Sequence, residues 1–316
     1  MSYAYIHSSR LRERRNFSFS RFLGGILLLF FLFLVARSAG EAFFKKSTHI
    51  LSPLGSTLGE KESALSLIEV EQRIKELTGK QPGSWSVYFI DFASSQRFGI
   101  NEQVIHRAAS VNKLYVLASL YYLAGKGDID LDETITLQRK DIQDFGTGTI
   151  RYDPPGTVYS FKTLARLLIE KSDNTAEYIV LSKIGKDRVQ TLVNEFGMKQ
   201  TSIAENKTSL YDIALLLEKM RNSEITNKAS TAEMIDFLDQ SDFEDRLPAL
   251  LPKDAHVYHK IGNEVGNIHD VGFITKDDSV YFLGVLTSDI GNTEEDAKKT
   301  IAEISKLVFD FQTHAE

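Results

Sequence analysis

The chain has no cysteine among its 316 residues, which excludes both a disulfide framework and a thiolate metal site. An exported protein can do without either, so the absence is compatible with export. A basic excess is also missing. The first 21 residues take five of the 37 basic and one of the 43 acidic side chains, leaving 32 against 42 in the rest. An acidic remainder lacks the surface that nucleic-acid binding requires. There is no internal repeat, and no low-complexity segment besides one apolar run. With 42% hydrophobic and 25% charged residues, disorder is excluded and a domain with a buried core is expected.

The apolar run is Phe22 to Ala36, FLGGILLLFFLFLVA, preceded by Arg10, Arg12, Arg14, Arg15 and Arg21 with only Glu13 opposing them. Positive charge before such a run predicts a targeting segment whose amino terminus stays in the cytoplasm. The expected organisation is a basic cytoplasmic tail (1–21), a transmembrane signal-anchor (22–40), a spacer (41–64) and an extracytoplasmic domain (65–316). Secretion after cleavage behind Ser38 or Gly40 is the alternative.

Beyond the spacer, Leu65, Leu67, Ile68, Val70, Ile74 and Leu77 recur at helical spacing, and Gly79 follows as a stop. Trp85–Phe92 and Gln96–Ile100 read as a hairpin. A helix opening at Ser110 is apolar almost all round and ends at Gly125 or Gly127, which predicts a central, buried position. Residues 128–163 read as loop, with turn signals at Gly146-Thr-Gly148 and Asp153-Pro-Pro-Gly156. Helices are expected from Ser160 to Ser172, Asp187 to Phe196, Thr208 to Met220 and Ser230 to Leu238. Strands follow at Ala255–Lys260, Val271–Thr275 and Val280–Thr287, and a last helix is opened by an Asn292/Glu295 capping pair. Strands at both ends with helices between predict an α+β fold: one antiparallel sheet built from both chain ends, flanked by helices, with an all-helical subdomain inserted at about 110–254.

Ser110 and Lys113 lie three residues apart in Ala-Ala-Ser110-Val-Asn-Lys113-Leu. On a helix that spacing puts both on one face. A half-buried lysine can lose its charge and accept the proton of a serine hydroxyl, leaving an activated nucleophile. Alone the pair is a common coincidence, but Ser172-Asp173-Asn174 and then Lys260-Ile261-Gly262 follow in the order of the SxxK, SDN and KTG elements of penicillin-recognising serine enzymes. His256, His259 and His269 have no carboxylate at ligand spacing and read as ordinary strand or loop histidines, so no metal and no cofactor is expected.

From about Leu65 to the end the chain resembles the class A β-lactamase family. The resemblance rests on these three elements, on Asp153-Pro-Pro-Gly-Thr157 ahead of the SDN helix, and on Asp245-Arg-Leu-Pro248 ahead of His259-Lys260-Ile-Gly262. It implies a β-lactamase/transpeptidase-like fold and the following roles. Ser110 would attack a lactam or peptide carbonyl to give an acyl-serine, and Lys113 would take its proton. Ser172 would pass a proton to the leaving nitrogen, and Lys260 would steady Ser172 and attract the substrate carboxylate. Asn174, Gly262 and Asn263 would bind substrate, the oxyanion lying between the backbone N–H groups of Ser110 and Asn263. The implied partners are a β-lactam or a peptidoglycan stem peptide, together with the cytoplasmic membrane through 22–40.

Two departures modify the expectation. Ile261 stands where the family usually carries a carboxylate-binding hydroxyl. Only a dozen residues separate Gly197-Met198 from Ser209-Leu210, too few for the family's loop whose Glu positions the deacylating water; Glu205 is the candidate left there. Acylation with poor deacylation is therefore expected. A D-alanyl-D-alanine peptidase and a non-catalytic wall-binding relative are the alternatives.

Overall fold

A computed structural model describes residues 65–314. The predicted tail, the transmembrane segment and the spacer lie outside these residues. Among the described residues no helix is long and apolar enough to cross a membrane.

In chain order, α1 (Leu67–Gly79) is opened by Ser66, which forms a reciprocal capping box with Glu69. The hairpin β1 (Ser84–Asp91) and β2 (Arg97–Ile100) follows. The short β3 (His106–Arg107) leads into a 3-10 turn, Ala109–Asn112, and then α2 (Lys113–Lys126). Next come β4 (Thr134–Thr136), β5 (Val158–Ser160), α3 (Phe161–Glu170), α4 (Asn174–Ile184) and α5 (Lys186–Glu195). After them lie β6 (Lys207–Thr208), α6 (Leu210–Arg221) and α7 (Lys228–Asp239). The chain closes with β7 (His256–Glu264), β8 (Asn267–Lys276), β9 (Ser279–Ser288) and α8 (Glu294–His314).

The main sheet has the order β2-β1-β9-β8-β7 with antiparallel pairing throughout. It is the single sheet from both chain ends that strand alternation predicts. Its two faces are divided by the period of two along β1. Val87 and Phe89 pack into the core beneath α1 and α8, with Ile74, Ile301 and Ile304. Tyr88 and Ile90 point into the core shared with the inserted helices. The sheet is thus buried on both sides, with the carboxyl-terminal β7 on its edge. At the centre of the second core, α2 buries Leu114, Leu117 and Leu120 completely, each contributing about 2 kcal/mol by area removed from water. Gly127 ends the helix with φ +80, in the left-handed region that glycine enters without penalty.

Several elements depart from expectation. The helix predicted at Ser110 begins at Lys113, because Ala109 has φ +47 and turns the chain into a 3-10 segment first. The stretch read as loop contains the β4–β5 ribbon, and β3 pairs with β6. Helix α4 was not among the helices expected, which placed Ser172-Asp173-Asn174 at the end of α3. Glu295 does not cap α8 with Asn292; its carboxylate pairs with Lys298 one turn on, and the Thr293 carbonyl accepts from Ala297.

Candidate active site

Three parts of the chain meet at one end of α2. The first is the strained turn at its start. Ala109 occupies the left-handed region without being glycine, a conformation that costs about 1–3 kcal/mol and persists only where surrounding contacts dictate it. Here the Ala108 N–H donates to the Asn206 carbonyl, and Val111 N–H to the Ala108 carbonyl. The turn presents Ser110 at the surface of a cleft and puts Lys113 one turn behind it, 1% exposed.

Lys113 is the hub. Its Nζ lies 3.0 Å from Ser110 Oγ, 2.8 Å from Asn174 Oδ1, 3.5 Å from Ser172 Oγ and 3.3 Å from Glu177 Oε2. Burial pushes its amine below the ordinary lysine range, and the Glu177 carboxylate opposes that shift. An amine so placed can exchange a proton with either serine.

The second part is the junction of α3 and α4. Ser172 also has a positive φ, +50, and its carbonyl accepts from Thr147 Oγ1 at 2.7 Å. Asp173 is buried and structural. One carboxylate oxygen caps α4 at the Ala176 N–H (2.9 Å), and the other accepts from the N–H groups of Thr149 (2.6 Å) and Ile150 (2.9 Å). That carboxylate ties the 145–150 loop to the start of α4. Asn174 completes the tie through Nδ2 to the Phe145 carbonyl, 3.1 Å. Gly146 and Gly148 are required here, since a Cβ would fall 2.3 Å from Asn174 Nδ2 and 2.4 Å from Asp173.

The third part is β7. Gly262 does not line the cleft; it lets the strand press against the turn that carries Ser110. A Cβ there would sit 3.1 Å from both the Ala108 carbonyl oxygen and Val111 Cγ2, and 2.8 Å from His269 Cδ2. Asn263 lies beyond it and lines the cleft with Ser110. Lys260 is fully buried and donates to the Ile261 carbonyl, 3.2 Å away. Burial and then the nearby Lys113 charge hold its amine well below the ordinary range. Ile261 is also buried, at 1% exposure. Behind the strand, His259 Nδ1 meets Asp270 at 2.7 Å, and His269 Nε2 meets the Arg107 carbonyl at 2.8 Å.

The cleft, about 670 Å³, falls within the range of small-molecule sites. Residues 198–208 supply part of its wall through Ile203, Ala204 and Asn206, but Glu205 does not enter it. That carboxylate is 63% exposed and pairs with Lys207 at 2.6 Å, so the expectation that it reaches the water is corrected. Two other carboxylates line the cleft. Glu264 is held by Arg107, with two contacts of 2.9 Å. Glu177 faces Lys113 and is the residue that sequence reasoning missed. The available signal was its place three residues after Asn174, one turn along a helix that Asp173 caps.

A family model described as the beta-lactamase enzyme family matches residues 69–312. A beta-lactamase of Bacteroides uniformis is 22% identical over 275 residues, covering 78% of this chain and 92% of that one. The solved structure of PBP-A is 25% identical with a TM-score of 0.73, covering 77% of this chain and 95% of that one. A leucine-to-glutamate mutant of PBP-A, solved as its acyl-enzyme complex with penicillin G, has a TM-score of 0.72 at the same identity and covers 77% and 96%. The matched segment spans the sheet, the Ser110 turn and the SDN junction together, and on it the chain belongs to the beta-lactamase enzyme family and is a serine hydrolase.

Proposed function

We propose that the protein is an exported, membrane-anchored enzyme that forms an acyl-serine at Ser110 with β-lactams and hydrolyses it slowly. The observation that carries the reading is the 3.0 Å approach of a buried lysine amine to the serine hydroxyl. Ser110 Oγ attacks the lactam carbonyl carbon while Lys113 takes its proton. The C–N bond of the tetrahedral adduct then breaks as Ser172 Oγ gives a proton to the departing nitrogen, and Lys113, 3.5 Å from Ser172, restores it. The backbone N–H groups of Ser110 and Asn263 are the donors for the oxyanion. The penicillin G acyl-enzyme of PBP-A supports a β-lactam as substrate. The basic head and apolar run support the anchor.

Slow hydrolysis follows from the short 198–208 segment, which brings no carboxylate to the cleft. A D-alanyl-D-alanine peptidase is the second reading, favoured by Ile261, which offers no hydroxyl to a penicillin carboxylate. Nitrocefin turnover and stem-peptide cleavage, each measured beside Ser110→Ala, test the pair. A nitrocefin burst followed by a slow phase, absent in the variant, is expected. No burst together with rapid peptide cleavage would favour the peptidase, and neither activity would refute both.

A further inference from the structure

We infer that Glu177 is a catalytic residue of this site, the general base that activates the water releasing the acyl group from Ser110. The inference rests on the acyl-serine reading above and adds the group for its second half. Glu177 Oε2 and Ser110 Oγ lie on the same buried nitrogen, at 3.3 and 3.0 Å, so one water can bridge the carboxylate and the carbon of an ester formed at Ser110. The carboxylate is 21% exposed and lines the cleft, so water reaches it without leaving the site. Helix α4 holds it rigidly: the Asp173 cap and the Asn174 contacts to Lys113 and Phe145 fix the turn from which Glu177 projects.

The competing carboxylates are placed otherwise. Glu205 is at the surface on Lys207, and Glu264 is engaged by the Arg107 guanidinium. Asp173 has both oxygens occupied by backbone N–H groups. Among the described residues lining the cleft, Glu177 is the carboxylate beside the nucleophile.

In the step, a water O–H gives its proton to Glu177 as the oxygen adds to the acyl carbon. The tetrahedral intermediate collapses with cleavage of the bond to Ser110 Oγ. Lys113, left neutral by acylation, takes the proton from Glu177 across 3.3 Å and gives it to that oxygen, 3.0 Å away. The product leaves as a free acid and the site is restored.

The test uses the intact chain and penicillin G, with adduct formation and adduct decay followed separately by intact-protein mass spectrometry. Adduct on the wild type, missing in Ser110→Ala, establishes the acyl-serine reading independently. In Glu177→Gln, which keeps the shape, adduct is expected to form and then to decay at least tenfold more slowly, with Glu177→Asp partly restoring decay. Glu205→Gln should decay at the wild-type rate. Unchanged decay in Glu177→Gln would overturn the assignment, as would a loss confined to acylation, which would make Glu177 a positioning residue for Lys113. A wild-type adduct that does not decay over a day would overturn it too, while leaving the acylation reading intact.

Discussion

Replacing Asp173 by alanine tests whether the site's geometry is held by one buried carboxylate. Three backbone N–H groups lose their acceptor: Ala176 at the start of α4, and Thr149 and Ile150 in the loop facing it. Losing the helix cap costs about 1 kcal/mol. Each of the other two amides, left partly buried without a partner, costs about 1–2 kcal/mol. The expected loss is therefore about 3–5 kcal/mol, read from urea unfolding as a lower midpoint at an unchanged slope. Asparagine keeps one acceptor oxygen and should lose about half as much. The same change frees the 145–150 loop from α4 and so loosens Asn174 against Lys113, so acylation should slow by at least tenfold in any fraction that stays folded. A destabilisation under about 1 kcal/mol with acylation intact would refute the reasoning, because the carboxylate would then be dispensable to both loop and helix.

Gly262→Val should fold less stably and acylate poorly, since its side chain has to displace the Ala108 carbonyl and Val111; thermal melting and adduct rate check it. Stability should peak near pH 6.5, the unperturbed histidine value. Burial depresses His106 and His269 to about 4, so their contribution is present above pH 6.5 and is lost as pH falls towards 4. Burial would depress His259 as well, but the Asp270 carboxylate and then Glu244 outweigh it and raise it to about 9; its contribution is present below pH 6.5 and is lost as pH rises through 9. Urea unfolding at pH 5, 6.5 and 9.5 checks both limbs, and Asp270→Asn should flatten the alkaline one. Lys113→Ala should cut acylation by about a hundredfold or more at unchanged fold, since base catalysis typically contributes factors of that size.

The sheet was legible because its strands alternate or run apolar between turn residues, and β1 carries both signals. What was not legible depended on single backbone angles. The positive φ of Ala109 converts the expected helix start into a 3-10 turn, and nothing in an Ala-Ala-Ser run announces it. Ser172-Asp173-Asn174 reads equally well as an end or a beginning; Asp173 makes it the beginning of α4, and only then does Glu177 fall on the face of Asn174. Strands of two residues such as β3 and β6 carry no periodicity to read. Glu205 was attractive by position alone, but Lys207 two residues on claims its charge at the surface.

The most direct measurement is the mass of the intact protein after mixing with penicillin G, followed by mapping of the modified peptide. A gain of one penicillin mass confined to the peptide containing Ser110, and missing in Ser110→Ala, is the predicted result. No gain at any concentration, or the same gain in Ser110→Ala, would contradict the claim that the Lys113 amine makes this serine a nucleophile.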